Sequence, residues 1–283
     1  MSVIKLSAVK ERVKASVLEA NFVIDPDLEG LVKSRLAGEP SPSGREVLKQ
    51  ILENARIATE EKLALCQDTG LAVFFVEMGE TLKLDYDGFA SLCAAITRGA
   101  VEGYEEGYLR KSVCDPLSRK NTGDNAPVFL HWDVVEGDGL KITFLAKGGG
   151  SENMSALKMM LPSTGSKGLE DFVVDVVSQA GPNPCPPTVV GVAIGGNFDT
   201  AAFLAKKALL RKPVGSPSPD PVYAGLEKRI LDRINKLGIG PMGLGGRTTA
   251  LAVHVDAHPC HIASFPVAVN INCHSHRIAE IRF

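Results

Sequence analysis

TVVGVAIGGNFDTAAFLAKKALLRK, residues 188–212, joins a β-branched apolar run to a segment with apolar residues at helical spacing, through two adjacent glycines. The run predicts a strand and the segment a helix, so the chain here passes from strand directly into helix. That junction points to an α/β class, and the pattern recurs on both sides of it. LAVFFVEM from 71, PVFLHWDVV from 127, LKITFLAK from 140 and TTALAVHVDA from 248 read as strands. Helical periodicity marks 85–111, 168–180 and 220–238, the last with Asp220 as N-cap and Pro221 in the first turn. In 41–63, Ser43 and Glu46 read as a capping box, and Val47, Leu48, Ile51, Leu52, Ala55 and Ala58 form one apolar helix face. The expected architecture is mixed α/β, a single large globular domain over 1–283 with helices packed around β-sheet. The Pro- and Ser-rich KPVGSPSPDP, 212–221, is expected as a surface loop.

Composition narrows the partners. With 283 residues, 45% of them hydrophobic, the chain has material for a sizeable core. A net charge of −2 and no basic stripe speak against nucleic acid and anionic membranes. No apolar run reaches the roughly 20 residues of a membrane span, and the charged MSVIKLSAVKERVK lacks the apolar centre of a signal peptide. A small-molecule ligand and a cytoplasmic location are expected.

Six cysteines (66, 93, 114, 185, 260 and 273) without a secretion signal read as thiols or metal ligands. None forms a Cys-x2-4-Cys pair, so any metal site must draw ligands from distant loops. Cys93, in SLCAAI, reads as a small buried hydrophobe. Cys185 stands between prolines in NPCPP and so belongs to a rigid non-helical segment. Cys66, in CQDTG, and Cys273, in NINCHSHR, have polar neighbours at expected element ends. Three thiolates from separate loops suit an iron–sulfur cluster with one open iron, whereas an electron-transfer cluster takes four. A zinc hydrolase would instead use Cys260, His261, Cys273, His274 and His276, but H-E-x-x-H is absent.

Three glycine loops carry different weight. GIGPMG, 238–243, fits G-x-G-x-x-G but follows a helix and holds Pro241, the reverse of the dinucleotide-binding context. GGNFD, 195–199, reads as an anion loop or a tight turn. In AKGGGSENMS, 146–155, three glycines after a strand favour close backbone approach to a ligand, with Ser151 or Asn153 capping a following helix.

CQDTG, YLRKS, NTGDNAP, AKGGGSENMS, CPPT, GIGGNFD, GIGPMGLGG and NC followed by HSHR occur here in that order. In this the chain resembles the class I, iron–sulfur-dependent fumarase and L-tartrate dehydratase family, from about residue 60 onward. It is similar to the α subunit of the two-subunit enzymes and to the N-terminal half of the single-chain ones. The resemblance implies a [4Fe–4S] cluster held by Cys66, Cys185 and Cys273, with Cys93, Cys114 and Cys260 as bystanders. It implies substrate contacts from Gln67, Arg110, the Gly149 N–H and His261, and proton transfer by Asp68 at the leaving hydroxyl. The implied reaction is reversible trans addition of water to a C4 dicarboxylate double bond, fumarate to L-malate first and L-tartrate dehydration as the alternative. The resemblance further implies that the general base comes from a β subunit in an α2β2 or similar complex, the counterpart of the second domain into which the single-chain enzymes continue. A non-catalytic cluster-bearing sensor or scaffold subunit is the alternative of another class.

Overall fold

A computed structural model describes residues 3–85 and 88–283. In chain order its elements are α1 (Leu6–Phe22), α2 (Pro26–Gly38), α3 (Pro42–Glu61), β1 (Leu71–Gly79), α4 (Phe89–Glu106), β2 (Phe129–Val135), β3 (Leu140–Lys147), α5 (Gly149–Glu152), β4 (Ala156–Met160), α6 (Gly165–Ala180), β5 (Thr188–Gly195), α7 (Phe198–Ala208), α8 (Pro221–Ile234), β6 (Ala250–His258), β7 (Phe265–Asn272) and β8 (Ile278–Arg282). The class is mixed α/β, with helices packed on sheets, as the sequence predicts. The chain forms two compact units: the described residues of Met1–Asp25, Ala55–Gly149 and Arg277–Phe283 make the first, and Pro26–Asn54 with Gly150–His276 the second.

The first unit holds a sheet of order β2-β1-β3-β8, in which β1 runs parallel to β2 and antiparallel to β3. Side chains of a strand alternate between faces, so Ala72, Phe74 and Val76 of β1 share a face with Ile142 and Phe144 of β3. The Phe74 and Phe144 rings lie 5.2 Å apart in a core that also takes Val9, Val13 and Val17 of α1 and Leu92, Ile96 and Tyr104 of α4. A Cβ at Gly99 would stand 2.4 Å from the Lys10 carbonyl oxygen, so only glycine lets α4 lie this close to α1.

The second unit holds a sheet of order β4-β7-β5-β6, with β5 and β6 parallel and β7 antiparallel to both its neighbours. Val190 and Val192 of β5 join Val173 and Val177 of α6 and Leu226, Ile230 and Ile234 of α8 in the main core. The alternate residue Ala193 packs with Ala201 and Ala205 of α7, and small side chains let that helix approach. The strand-to-helix turn at 195–197 requires its glycines: Gly195 has φ +88°, and a Cβ there would meet the His258 carbonyl oxygen at 1.9 Å. The Asn197 side chain accepts the Thr200 N–H at 2.9 Å and caps α7.

Local differences from the sequence reading have local causes. Helix α3 begins at Pro42, with Ser41 rather than Ser43 accepting the Gly44 N–H at 3.2 Å, because proline suits the first helical position. Helix α4 covers less than 85–111: Tyr86 and Asp87 lie outside the described residues, and the helix closes at Gly107 before left-handed Tyr108. Ser151 and Asn153 cap no following helix, since the chain enters β4, whose Ala156 and Met160 pair with Val269 and Phe265 of β7. Asp220 accepts the Val222 N–H at 2.8 Å and caps α8 as expected. The 212–221 loop is tied into the second unit. Val214 and Ser218 are buried, the Ser218 N–H donates to Glu227 at 2.8 Å, and the Gly215 N–H donates to His254 Nε2 at 3.0 Å. Burial pulls the His254 imidazole down to about 4 and nearby Arg211 adds to this, which keeps Nε2 an acceptor at neutral pH.

Candidate functional site

In the first unit, CQDTG forms the loop between α3 and β1. Asp68 Oδ1 accepts the Gly70 N–H at 3.0 Å and Oδ2 accepts the Gly149 N–H at 2.7 Å, so one carboxylate bridges the loop and the residue opening α5 after β3. The Gly149 N–H that the resemblance assigns to substrate is thus donated to Asp68 in this structure. Cys66 is half-buried, its Sγ 3.6 Å from Gln67 Oε1, and Gln67 itself is exposed. YLRKS follows α4, and its Arg110 carbonyl accepts the hydroxyl of buried Thr69. The Arg110 guanidinium is exposed and makes no ion pair among the described residues. Such a group matches a carboxylate ligand bidentately.

Two buried polar residues fasten these pieces together. Asn125 of NTGDNAP, 1% exposed and left-handed at φ +64°, accepts the N–H groups of Ser112 (2.6 Å) and Val113 (3.2 Å) and donates to the Gly70 carbonyl (3.1 Å). The Tyr104 hydroxyl donates to the Thr69 carbonyl at 2.8 Å. Burial pushes this phenol above its ordinary range, with Arg277 opposing the shift and Asp68 adding to it. Neither residue stands out in the sequence except through the NTGDNAP motif, since a tyrosine on an apolar helix face reads as core.

In the second unit, Cys185 and Cys273 are brought together through the backbone. The Cys185 carbonyl oxygen lies 3.0 Å from His274 Nδ1 and accepts the His274 N–H at 3.3 Å, which fixes the CPP segment against the turn after β7. Cys185 adopts φ +54°, a conformation that costs a non-glycine residue about 1–3 kcal/mol and that marks functional positions. Cys273 is buried, with Sγ 3.0 Å from Ser275 Oγ. His261 stands exposed in the turn between β6 and β7. Its Nδ1 accepts the Ala263 N–H at 3.1 Å, which leaves the proton on outward Nε2 as a donor, while the Cys260 thiol turns to the Ser264 carbonyl at 3.3 Å.

None of the six cysteines is in a disulfide. Cys66 in the first unit, and Cys185 and Cys273 in the second, each place a soft sulfur donor at a loop or element end, the ligand type that an iron–sulfur group takes and a hard cation does not. Among the described residues no three His, Cys, Asp or Glu are grouped so as to hold a single metal ion. The zinc arrangement is therefore not assembled: Cys260 and His261 are exposed in one turn, whereas Cys273 and His276 are buried in another, and His276 Nδ1 is 3.0 Å from Asn272 Nδ2. Among the described residues no helix is long and apolar enough to cross a membrane.

Comparison with known proteins agrees with this arrangement of motifs. A protein named "Putative L(+)-tartrate dehydratase subunit alpha" from Methanocaldococcus jannaschii is 41% identical over 266 residues, covering 92% of this chain and 92% of that protein. The L(+)-tartrate dehydratase subunit alpha of Escherichia coli UTI89 is 32% identical over 280 residues, covering 95% and 90%. Its counterpart in Escherichia coli K12 is 32% identical over 275 residues, covering 93% and 89%. The sequence model named Fumarate hydratase (Fumerase) matches residues 10–282, nearly the whole length. With relatives this similar over nine-tenths of its length, the chain belongs to the fumarate hydratase (Fumerase) family of hydro-lyases.

Proposed function

We propose that this chain is the α subunit of an iron–sulfur hydro-lyase that adds water to, or removes it from, a four-carbon dicarboxylate. The observation that carries the reading is the Asp68 carboxylate, clamped on the Gly70 and Gly149 N–H groups two residues from the Cys66 thiol. Cys66, Cys185 and Cys273 would hold the cluster; its thiolates need not meet at one point as they would around a single ion. When bound, the cluster supplies an open iron as Lewis acid for the departing hydroxyl.

The chain's own residues do the rest of its share. Arg110 pairs with one substrate carboxylate through its fork of N–H donors. Gln67 and the His261 Nε2–H orient the hydroxyl-bearing carbon. Gly149 exchanges its bond to Asp68 for one to the substrate, and Asp68, so released, takes up a proton from solvent and donates it to the leaving hydroxyl, completing water and returning to the carboxylate. The proton on the adjacent carbon is taken by a base from a β subunit, a partner that the relatives' names as alpha subunits support.

The family description supports fumarate and L-malate as substrates, and the relatives' names support L-tartrate at least as well. Anaerobic purification with the co-expressed partner, iron and sulfide quantification, and assays on L-malate, fumarate and L-tartrate test cofactor and substrate together. Iron-bearing complex active on one of these pairs is expected. A complex without iron, or an α chain fully active alone, overturns the reading.

A further inference from the structure

Arg277, in the HSHR turn ahead of β8, is 2% exposed. A guanidinium does not lose its proton, so its charge is buried in full. Its Nη1 donates to Asn21 Oδ1 at 3.0 Å, and Asn21 is itself wholly buried in α1. Its Nε has no hydrogen-bond partner, and it forms no ion pair among the described residues. A buried charge left with one neutral partner is costly unless an opposite charge lies near.

That opposite charge is Asp68. A Cβ built on Gly148 would stand 3.1 Å from Asp68 Oδ2 and 3.7 Å from Arg277 Nη2, so the two groups lie on either side of Gly148, within about 7 Å of each other. Both also act on the buried Tyr104 hydroxyl, in opposite senses. From behind, Asn21 holds the guanidinium; in front, the carboxylate spans the Gly70 and Gly149 N–H groups.

We infer that Arg277 is a positioning residue for Asp68: its buried charge, anchored by Asn21, seats the carboxylate beside the Gly149 N–H in the free enzyme and keeps it there, on its Gly70 bond, for proton transfer once Gly149 turns to the substrate. This rests on the hydro-lyase reading for its catalytic part only, since the seating of Asp68 is a property of the first unit.

The test uses the co-expressed complex and the variants Arg277→Gln, Arg277→Lys, Asn21→Asp and Asp68→Asn. Arg277→Gln is expected to lower kcat at least tenfold with KM within about twofold, and Arg277→Lys to recover most of the loss. The Asp68→Asn/Arg277→Gln double variant should be no slower than Asp68→Asn alone, because one interaction is removed twice. Asn21→Asp separates positioning from folding. It is isosteric and gives Arg277 an ion pair of its own in exchange for the bond from Asn21 Nδ2 to the Val17 carbonyl at 2.8 Å, so, with its fold verified by urea unfolding, it should lower kcat by drawing the guanidinium away from Asp68. Losses that multiply in the double variant, or an Asn21→Asp enzyme as fast as the parent, overturn the assignment, whether or not Arg277→Gln folds. Hydrogen exchange at the Gly149 amide provides a readout without turnover: faster in Asn21→Asp and Arg277→Gln, unchanged in Arg277→Lys. If the complex acts on none of the three substrates, the proposed function fails and this exchange alone decides. A Gly149 amide as protected in Asn21→Asp as in the parent refutes the positioning role.

Discussion

Replacing Asn125 measures how firmly the loops of the first unit are locked together. Its side chain makes three bonds in a buried place, accepting from Ser112 and Val113 and donating to Gly70. Asn125→Gly keeps the left-handed backbone without steric penalty and removes all three. Each such bond nets about 0.5–1.5 kcal/mol, and a stranded buried donor costs about 1–3 kcal/mol, so a loss of about 2–4 kcal/mol is expected. Asn125→Ala loses the same bonds and adds a Cβ at φ +64°, which costs about 1–2 kcal/mol more. Urea unfolding of parent and both variants reads these differences as shifts in midpoint at constant slope. Because Asn125 joins the Arg110 segment to the Asp68 loop, both variants should also raise the KM for dicarboxylate. An Asn125→Gly protein within about 0.5 kcal/mol of the parent, or an alanine variant as stable as the glycine one, would refute the reasoning.

Cys66→Ser, Cys185→Ser and Cys273→Ser should each lose bound iron and sulfide, because thiolate is the ligand these clusters need, while Cys93→Ser keeps both; full iron content in the three would remove them as ligands. Arg110→Ala should keep the fold and weaken substrate binding by about 1.5–3 kcal/mol, the worth of a charged hydrogen bond, read as a higher KM. Glu39 is buried; although burial opposes its charge, bonds from the Thr248 hydroxyl and the Arg247, Ser41 and Thr248 N–H groups hold its carboxyl below the usual range. A lowered folded pKa stabilises fully above the unfolded value of about 4.3, and this is lost as pH falls through the folded pKa. The stability gap between the parent and Glu39→Gln should therefore be widest at neutral pH and close in acid; a gap independent of pH would contradict this.

What the sequence discloses is what short range decides. The β5–α7 junction, the Asp220 cap and the CQDTG loop are written in turn formers, cap residues and periodicity that act within a few residues. The β4, β7 and β8 strands are not, because each becomes a strand by pairing with a distant segment, as Ala156 does with Val269. The same holds at the site. Cys66, Asp68, Arg110 and Gly149 sit in motifs whose chemistry can be read by eye, whereas Asn125 and Arg277, though within NTGDNAP and HSHR, take their roles from bonds to Gly70 and Asn21, far away in the chain. Nor does composition mark where one compact unit gives way to the other, since both draw on separated stretches.

The C-terminal strand has a consequence for how the chain is made. Lys141 of β3 lies opposite Arg282 and Leu145 opposite Ile278, so the edge of β3 stays uncovered while residues 150–276 are being synthesised. All four strands of the second sheet lie in that interval, and that unit has its full sequence before β8 emerges. Pairing over so long a stretch of chain is slow, and a waiting edge strand is a template for aggregation. Arg277 emerges immediately ahead of β8, so the charge facing Asp68 reaches the nascent first unit long after the carboxylate it positions has been synthesised.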